Sequence, residues 1–187
     1  MKGCRAAAED ASSTALLAGH IPGLRRFALA LLRGDRDRAD DLVQDSLERA
    51  LAHWDRRRPD GNLRNWLYTI LYNRLLTDTR RRLKREAWLS SLAAIGEEDF
   101  PAIDGGQNGA LAYRDLLRAF AGLSAEQRAV LLMVGVEDFS YAETARILGV
   151  PIGTVMSRLW RSRERLRQDM EGQRSRARPR MALEEIA

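Results

Sequence analysis

The stretch FSYAETARILGVPIGTVMSRLWRSRERL, Phe139 to Leu166, decides the fold class. Ser140-Tyr141-Ala142-Glu143 has the spacing of a capping box, in which a serine hydroxyl and a glutamate three residues later satisfy orphan backbone N–H groups. It opens a short predicted helix to Leu148 with Ala142, Ala145 and Leu148 on its inner face, and the small Ala145 lets a second helix approach. Gly149 suits the left-handed conformation that ends a helix, and Gly149-Val150-Pro151 reads as the turn. A basic helix then runs from about Ile152 to Met170, with Val150, Val155 and Leu159 closing a small core. Gly153, Thr154, Ser157, Arg158 and Arg161 are left facing outward on its N-terminal half, the part that enters the major groove in a helix-turn-helix. Arginine pairs with guanine edges or phosphates, and serine and threonine hydroxyls suit either. A hairpin with merely solvated arginines is the plainer alternative; box, small residue, turn glycine and basic helix in that order favour DNA reading.

Working outward, apolar residues recur at helical spacing, and no stretch alternates long enough to read as a sheet. The chain is therefore expected to be all-α. A first helix covers about Ile21 to Leu32, with Leu24, Phe27, Ala28 and Leu31 on one side, and Gly34-Asp35 breaks it. A second, about Arg38 to Trp54, buries Leu42, Val43, Leu47, Ala50, Leu51 and Trp54. After the loop Arg57 to Gly61, Asn62 is placed to cap a third helix. That helix runs from Leu63 to about Arg85 and buries Leu63, Trp66, Leu67, Ile70 and Leu71. From about Ser90 to Asn108 the periodicity fades among glycines, a proline and four acids, which reads as a flexible linker. Helical pattern resumes at Ala110 to Phe120, and Ser124 to Gln127 forms another capping box for a helix reaching about Val136.

Composition limits what such a chain does. Its 187 residues allow one medium domain or two small ones. No apolar run approaches the roughly 18 to 20 residues of a membrane span, so no membrane insertion is expected and the reading is cytoplasmic. The single cysteine, Cys4, cannot form an internal disulfide, and no Cys/His cluster suggests a metal; no cofactor is expected. The 31 basic against 26 acidic residues give a net charge of +5, and their segregation matters more than their sum. Basic runs lie at Arg56 to Arg58, Arg80 to Arg85, Arg158 to Arg167 and Arg174 to Arg180; acids cluster at Asp37 to Glu48 and Glu97 to Asp104. Several binding surfaces follow from that pattern.

Two further faces stand out. Asp41, Gln44, Asp45 and Glu48 lie on the second helix away from its apolar stripe, where a solvated acidic face is the ordinary reading. The third helix carries Arg64, Asn65, Tyr68, Tyr72, Asn73 and Arg80. Aromatic, amide and guanidinium groups on one surface suit unstacked bases and a single strand's backbone; tyrosines packing on a neighbouring helix is the equal alternative.

Together the two halves resemble a known family. ADDLVQDSLERAL (Ala39 to Leu51) followed by NLRNWLYTILYNRLLTDTRRR (Asn62 to Arg82) resembles region 2 of the sigma-70 family in its extracytoplasmic-function (ECF) group. LSAEQRAVLLMVGVEDFSYAETARILGVPIGTVMSRLWRSRERLR (Leu123 to Arg167) resembles region 4 of the same group. The resemblance implies two small helical domains: a tail over 1–15, region 2 over 16–89, a linker over 90–109, region 4 over 110–171 and a basic tail over 172–187. It implies that the chain binds core RNA polymerase, recognises the −35 and −10 promoter elements and promotes melting, without being an enzyme. Asp41, Gln44, Asp45 and Glu48 would dock the clamp helices of the largest polymerase subunit, while region 4 would meet the flap of the second-largest. Asn62, Arg64, Asn65, Tyr68, Tyr72, Asn73, Arg80 and Arg81 would engage the −10 element. Gly153, Thr154, Ser157, Arg158 and Arg161 would read the −35 element. Met156 departs from the lysine many members carry there. The resemblance further implies an anti-sigma factor as partner; the chain looks closest to the general-stress group of alphaproteobacteria, whose anti-sigma protein is small, with a membrane-anchored anti-sigma partner as the alternative. A regulator that binds duplex DNA without polymerase is the rival reading; no P-loop or paired-carboxylate pattern supports a nucleic-acid enzyme.

Overall fold

The computed structural model describes residues 13–58, 61–90 and 116–177. These form six principal helices: α1 (Ile21–Leu31), α2 (Arg36–Ala52), α3 (Leu63–Ser90), α4 (Ala125–Gly135), α5 (Tyr141–Leu148) and α6 (Ile152–Ala177). A 3-10 turn, Trp54–Arg56, follows α2, and shorter helical stretches cover 13–18 and 116–121. Among the described residues there is no strand.

Local sequence explains most of the boundaries. Pro22 stands in the first turn of α1, where its missing N–H costs nothing. The helix stops where Arg33 and Gly34 turn to positive φ (58° and 90°) and the Gly34 N–H reaches back to the Leu29 carbonyl. Asp35 then caps α2 by accepting from the Arg38 N–H, so α2 begins two residues earlier than Arg38. Asn62 caps α3 as expected, its side chain accepting from the Asn65 N–H. The third and last helices run further than periodicity suggested, to Ser90 and Ala177. In α6 Arg167 bonds both Glu164 and Glu171, ties that carry the helix across the expected end. At the other end, residues 13–18 are helical, with Ser13 and Leu17 buried, so this stretch overlaps the expected tail over 1–15. The expected linker over 90–109 (Ser90 apart), the tail beyond 177 and residues 1–12 lie outside the described residues.

The expected stripe of α1 (Leu24, Phe27, Ala28, Leu31) is buried entire. On α2, Leu42, Val43 and Ala50 are buried, Leu47 packs partly, and Leu51 is exposed instead of buried; Trp54, in the 3-10 turn after it, packs partly. On α3 the buried line is Leu67, Tyr68, Leu71, Tyr72 and Leu75, while Leu63, Trp66 and Ile70 are only partly covered. The reason is that α3 is packed on two sides, against α2 and against α5. Trp66 meets Trp54 edge-on (centroids 6.2 Å apart) on the first side, and Tyr68 meets Phe139 edge-on (4.9 Å) on the second.

The two halves, α1–α3 and α4–α6, therefore share one continuous apolar core. Helix α1 leans on α4 as α3 does on α5. Arg128, buried in α4, donates to the Ala121 (3.2 Å) and Leu123 (2.8 Å) carbonyls of its own half and to the Leu31 carbonyl (3.1 Å) of the other. Burial pushes this guanidinium down to about 10, still charged near neutrality.

Candidate nucleic-acid and polymerase interfaces

The α5–α6 pair has the cap and turn geometry its sequence dictates. Ser140 Oγ accepts from the Glu143 N–H (3.2 Å), and the Ser140 N–H donates to Glu143 Oε2 (3.0 Å). Gly149 takes φ 65°, and the Val150 N–H returns to the Ala145 carbonyl, closing α5 before Pro151. The inner face differs from expectation. Thr144, Ile147 and Leu148 are buried with Val155 and Leu159, whereas Ala142 is exposed and Ala145 half-buried. Thr144 is fully buried, and its Oγ1 finds no partner. A threonine scored as polar thus hid the true face.

On α6 the five expected DNA-facing residues divide. Gly153 and Arg161 are exposed; Thr154, Ser157 and Arg158 are half-buried. Arg161 donates to the Ser157 carbonyl and hydroxyl (both 3.3 Å), and Ser157 donates to the Thr154 carbonyl (3.1 Å). Arg158 lies towards the first half, where its charge opposes the upward push that burial and Glu126 exert on the Tyr72 hydroxyl. Met156 and Trp160, which composition alone did not single out as site residues, are exposed on the same helix.

The acidic surface of α2 is in place. Asp41, Gln44 and Glu48 are exposed, and Gln44 donates to Glu48 (3.0 Å). Asp45 is half-buried and accepts from Arg74 Nε (2.9 Å), with Asp78 also beside that guanidinium (3.6 Å). It is thus tied to α3, whereas Gln44 and Glu48 bond each other along α2.

The α3 residues separate into two groups on different sides of the helix. Asn73, Arg80 and Arg81 are exposed, as is Asn62 at the cap. Asn73 and Arg81 line a shallow depression with Arg49, Ile70, Arg74 and Thr77. Arg64, Asn65, Tyr68 and Tyr72 instead face the second half. Tyr68 and Tyr72 are only 1% and 2% exposed, so both tyrosines pack on neighbouring elements in this state.

Arg64 and Tyr68 of that second group are held by Glu137, which sequence reading missed. It lies in the turn between α4 and α5, is 3% exposed, and accepts from three side chains of the other half. Tyr68 Oη donates to its Oε2 at 2.6 Å, Arg64 Nη2 to the same oxygen at 3.0 Å, and Arg26 to Oε1 at 2.7 Å. The Arg64 guanidinium also sits over the Phe139 ring, 4.0 Å from its centroid. One turn on, Asn65 Nδ2 donates to Glu143 (3.0 Å); that bond, with those from Ser140, holds the Glu143 carboxyl down at about 2. A lone glutamate in a turn carries no sequence signature, and its partners stand 69 to 111 residues away. Among the described residues, no group of three or more His, Cys, Asp or Glu could hold a metal, and no helix is long and apolar enough to cross a membrane.

Comparison with known proteins fits this layout. Residues 17–72 match the family model described as the Sigma2 domain of PhyR, and residues 113–166 that of sigma-70, region 4. The chain is 40% identical over 146 residues to the ECF RNA polymerase sigma factor EcfG of Rhodopseudomonas palustris, covering 78% of each. It is 38% identical to the ECF RNA polymerase sigma factor SigL of Mycobacterium tuberculosis over 158 residues, 82% of this chain and 86% of that one. The sigma factor RpoE solved in complex with the anti-sigma factor NepR from Bartonella quintana superposes with a TM-score of 0.70 at 34% identity, covering 84% of this chain and 96% of RpoE.

Proposed function

Because this chain belongs to the ECF sigma factors of the sigma-70 family, we propose that it binds core RNA polymerase, directs it to promoters through −35 and −10 elements, and assists melting. It acts beside polymerase in the cytoplasm and supplies binding energy rather than catalysis. The observation that carries this reading is the α5–α6 unit, whose capped geometry leaves Gly153, Ser157 and Arg161 presented along one basic helix. Gly153, Thr154, Ser157, Arg158 and Arg161 form the −35 surface in this proposal. Asn62, Asn73, Arg80 and Arg81 form the exposed part of the −10 surface, and Arg64, Asn65, Tyr68 and Tyr72 the part that joins it when the halves separate.

Asp41, Gln44, Asp45 and Glu48 are assigned to the clamp helices of the largest polymerase subunit, and the region 4 half to the flap of the second-largest. Region 2 is assigned to 16–89 and region 4 to 110–171, with the intervening linker spanning them on polymerase. A NepR-like anti-sigma protein is the proposed restraint, by analogy with the 34% identical RpoE, and general stress the proposed setting.

Run-off transcription with purified core polymerase on a library of promoter fragments tests the reading. Specific transcripts that require this protein are expected. Their absence, together with tight duplex binding in the absence of polymerase, would move the assignment to a conventional helix-turn-helix regulator.

A further inference from the structure

Val155, Leu159 and Ser162 mark the buried line of α6. At about 100° per residue, the line opposite runs through Gly153, Ser157 and Trp160, with Met156 on one flank and Arg161 on the other. The proposed base-reading face therefore carries apolar side chains among its polar ones. Met156 is 48% exposed and Trp160 68%, while Thr154 and Arg158, which sequence reading preferred, are half-buried.

Gly153 completes the picture. A Cβ added there would meet nothing within 4 Å, and the residue is absent from the positive-φ glycines. Neither backbone conformation nor packing within the chain calls for glycine in the first turn of α6, a position where it weakens the helix. A surface that comes close to the backbone from outside does call for it. Exposed Arg161, Arg163 and Arg165 follow on the same helix, which suits a polyanion.

We propose that Met156 is a specificity-determining residue of the −35 contact, its side chain packing on the 5-methyl group of a thymine in the major groove. Gly153 lets the strand approach, and Trp160 covers the outer side of the same contact. Thymine alone among the four bases carries a methyl group in that groove, so an apolar group among polar base readers selects for it. Methionine is unbranched and polarisable, and adapts to such a contact. The apolar pair lies inside the basic face rather than beside it, which makes DNA the occupant: a protein seated there would displace the promoter. This inference rests on reading α6 as the −35 helix.

The test uses full-length protein, core polymerase and a promoter found by run-off transcription, with each −35 thymine on either strand replaced singly by deoxyuridine. That exchange removes one methyl group and leaves every hydrogen-bonding edge intact. One replacement is expected to lower promoter-specific initiation about fourfold, the worth of one buried methyl, with the others close to neutral. Met156→Ala and Met156→Gln should abolish discrimination at that position, so that each variant transcribes the thymine and deoxyuridine templates equally. Discrimination that survives both substitutions, or no discrimination by the wild type at any position, overturns the inference. So does an equal fall on both templates, which would assign Met156 to a protein contact. Absence of any promoter-specific transcript, by contrast, overturns the sigma reading as a whole and takes this inference with it.

Discussion

At the scale of single residues, Glu137 decides how the two halves meet. Three donors converge on a carboxylate withdrawn from water, and removing it leaves the Tyr68 hydroxyl buried and without an acceptor. Loss of a buried ionic partner costs several kcal/mol, but Arg26 and Arg64 keep 57% and 33% of their side chains exposed and regain water. Glu137→Ala should therefore destabilise by about 2–3 kcal/mol in urea unfolding, and Tyr68→Phe by about 1 kcal/mol. Since Glu137 and Tyr68 share one bond, the double variant should fall short of the sum by about 0.5 kcal/mol or more; strict additivity would mean that the bond is not formed. Glu143 makes a different prediction. Its folded value, about 2, lies below the ordinary 4.5. The stability it contributes is then complete above pH 4.5 and lost as pH falls towards 2. Asn65→Ala removes the largest cause, so the Glu143 carboxyl, followed by NMR, should titrate closer to its ordinary value. An unmoved titration would remove the Asn65 bond from the account.

At the scale of elements, what was legible in the sequence was whatever is set by neighbours in the chain. Both capping boxes, the Asn62 cap, the α1 stripe and the Gly149 turn follow from residues within four positions of one another, and all are present. What failed was the choice of face where polarity misleads, as at Thr144 in α5, and where a helix is covered on two sides, as in α3. Thr144 turns this failure into a prediction. Its hydroxyl is buried without a partner, so Thr144→Val should be neutral or stabilising by up to about 1 kcal/mol in thermal unfolding. A loss of that size instead would reveal a bond to Oγ1. Gly149→Ala should cost about 1 kcal/mol although an added Cβ meets no atom within 4 Å, because φ 65° is strained for any residue with a side chain.

At the scale of the whole molecule, sequence reading separated two units but did not find the residues through which one packs against the other, since these carry no mutual signature. The consequence is functional. Four of the proposed −10 residues are engaged by the second half or buried: Arg64 and Tyr68 bond Glu137, Asn65 bonds Glu143, and Tyr72 is buried near Glu126 and Arg158. Glu137 occupies Arg64 as a DNA phosphate would, so strand binding and closure compete for one guanidinium. For a protein that binds only when open, apparent affinity is the intrinsic value scaled by the open fraction. If about 1.4 kcal/mol of what Glu137 contributes opposes opening, its removal raises that fraction tenfold while opening stays rare. A labelled single strand carrying the −10 sequence should then bind Glu137→Ala about tenfold tighter than the wild-type protein in the absence of polymerase. The gain should shrink as salt rises, because salt screens the ion pairs to Arg26 and Arg64 through which Glu137 favours closure. Circular dichroism and binding of a −35 duplex serve as controls that the variant remains folded. With those unchanged, equal affinity of the two proteins for the single strand would show that closure does not limit access to α3. In that case Arg64 and Tyr68 would be structural residues of the interface between the halves, and the −10 surface would reduce to Asn62, Asn73, Arg80 and Arg81.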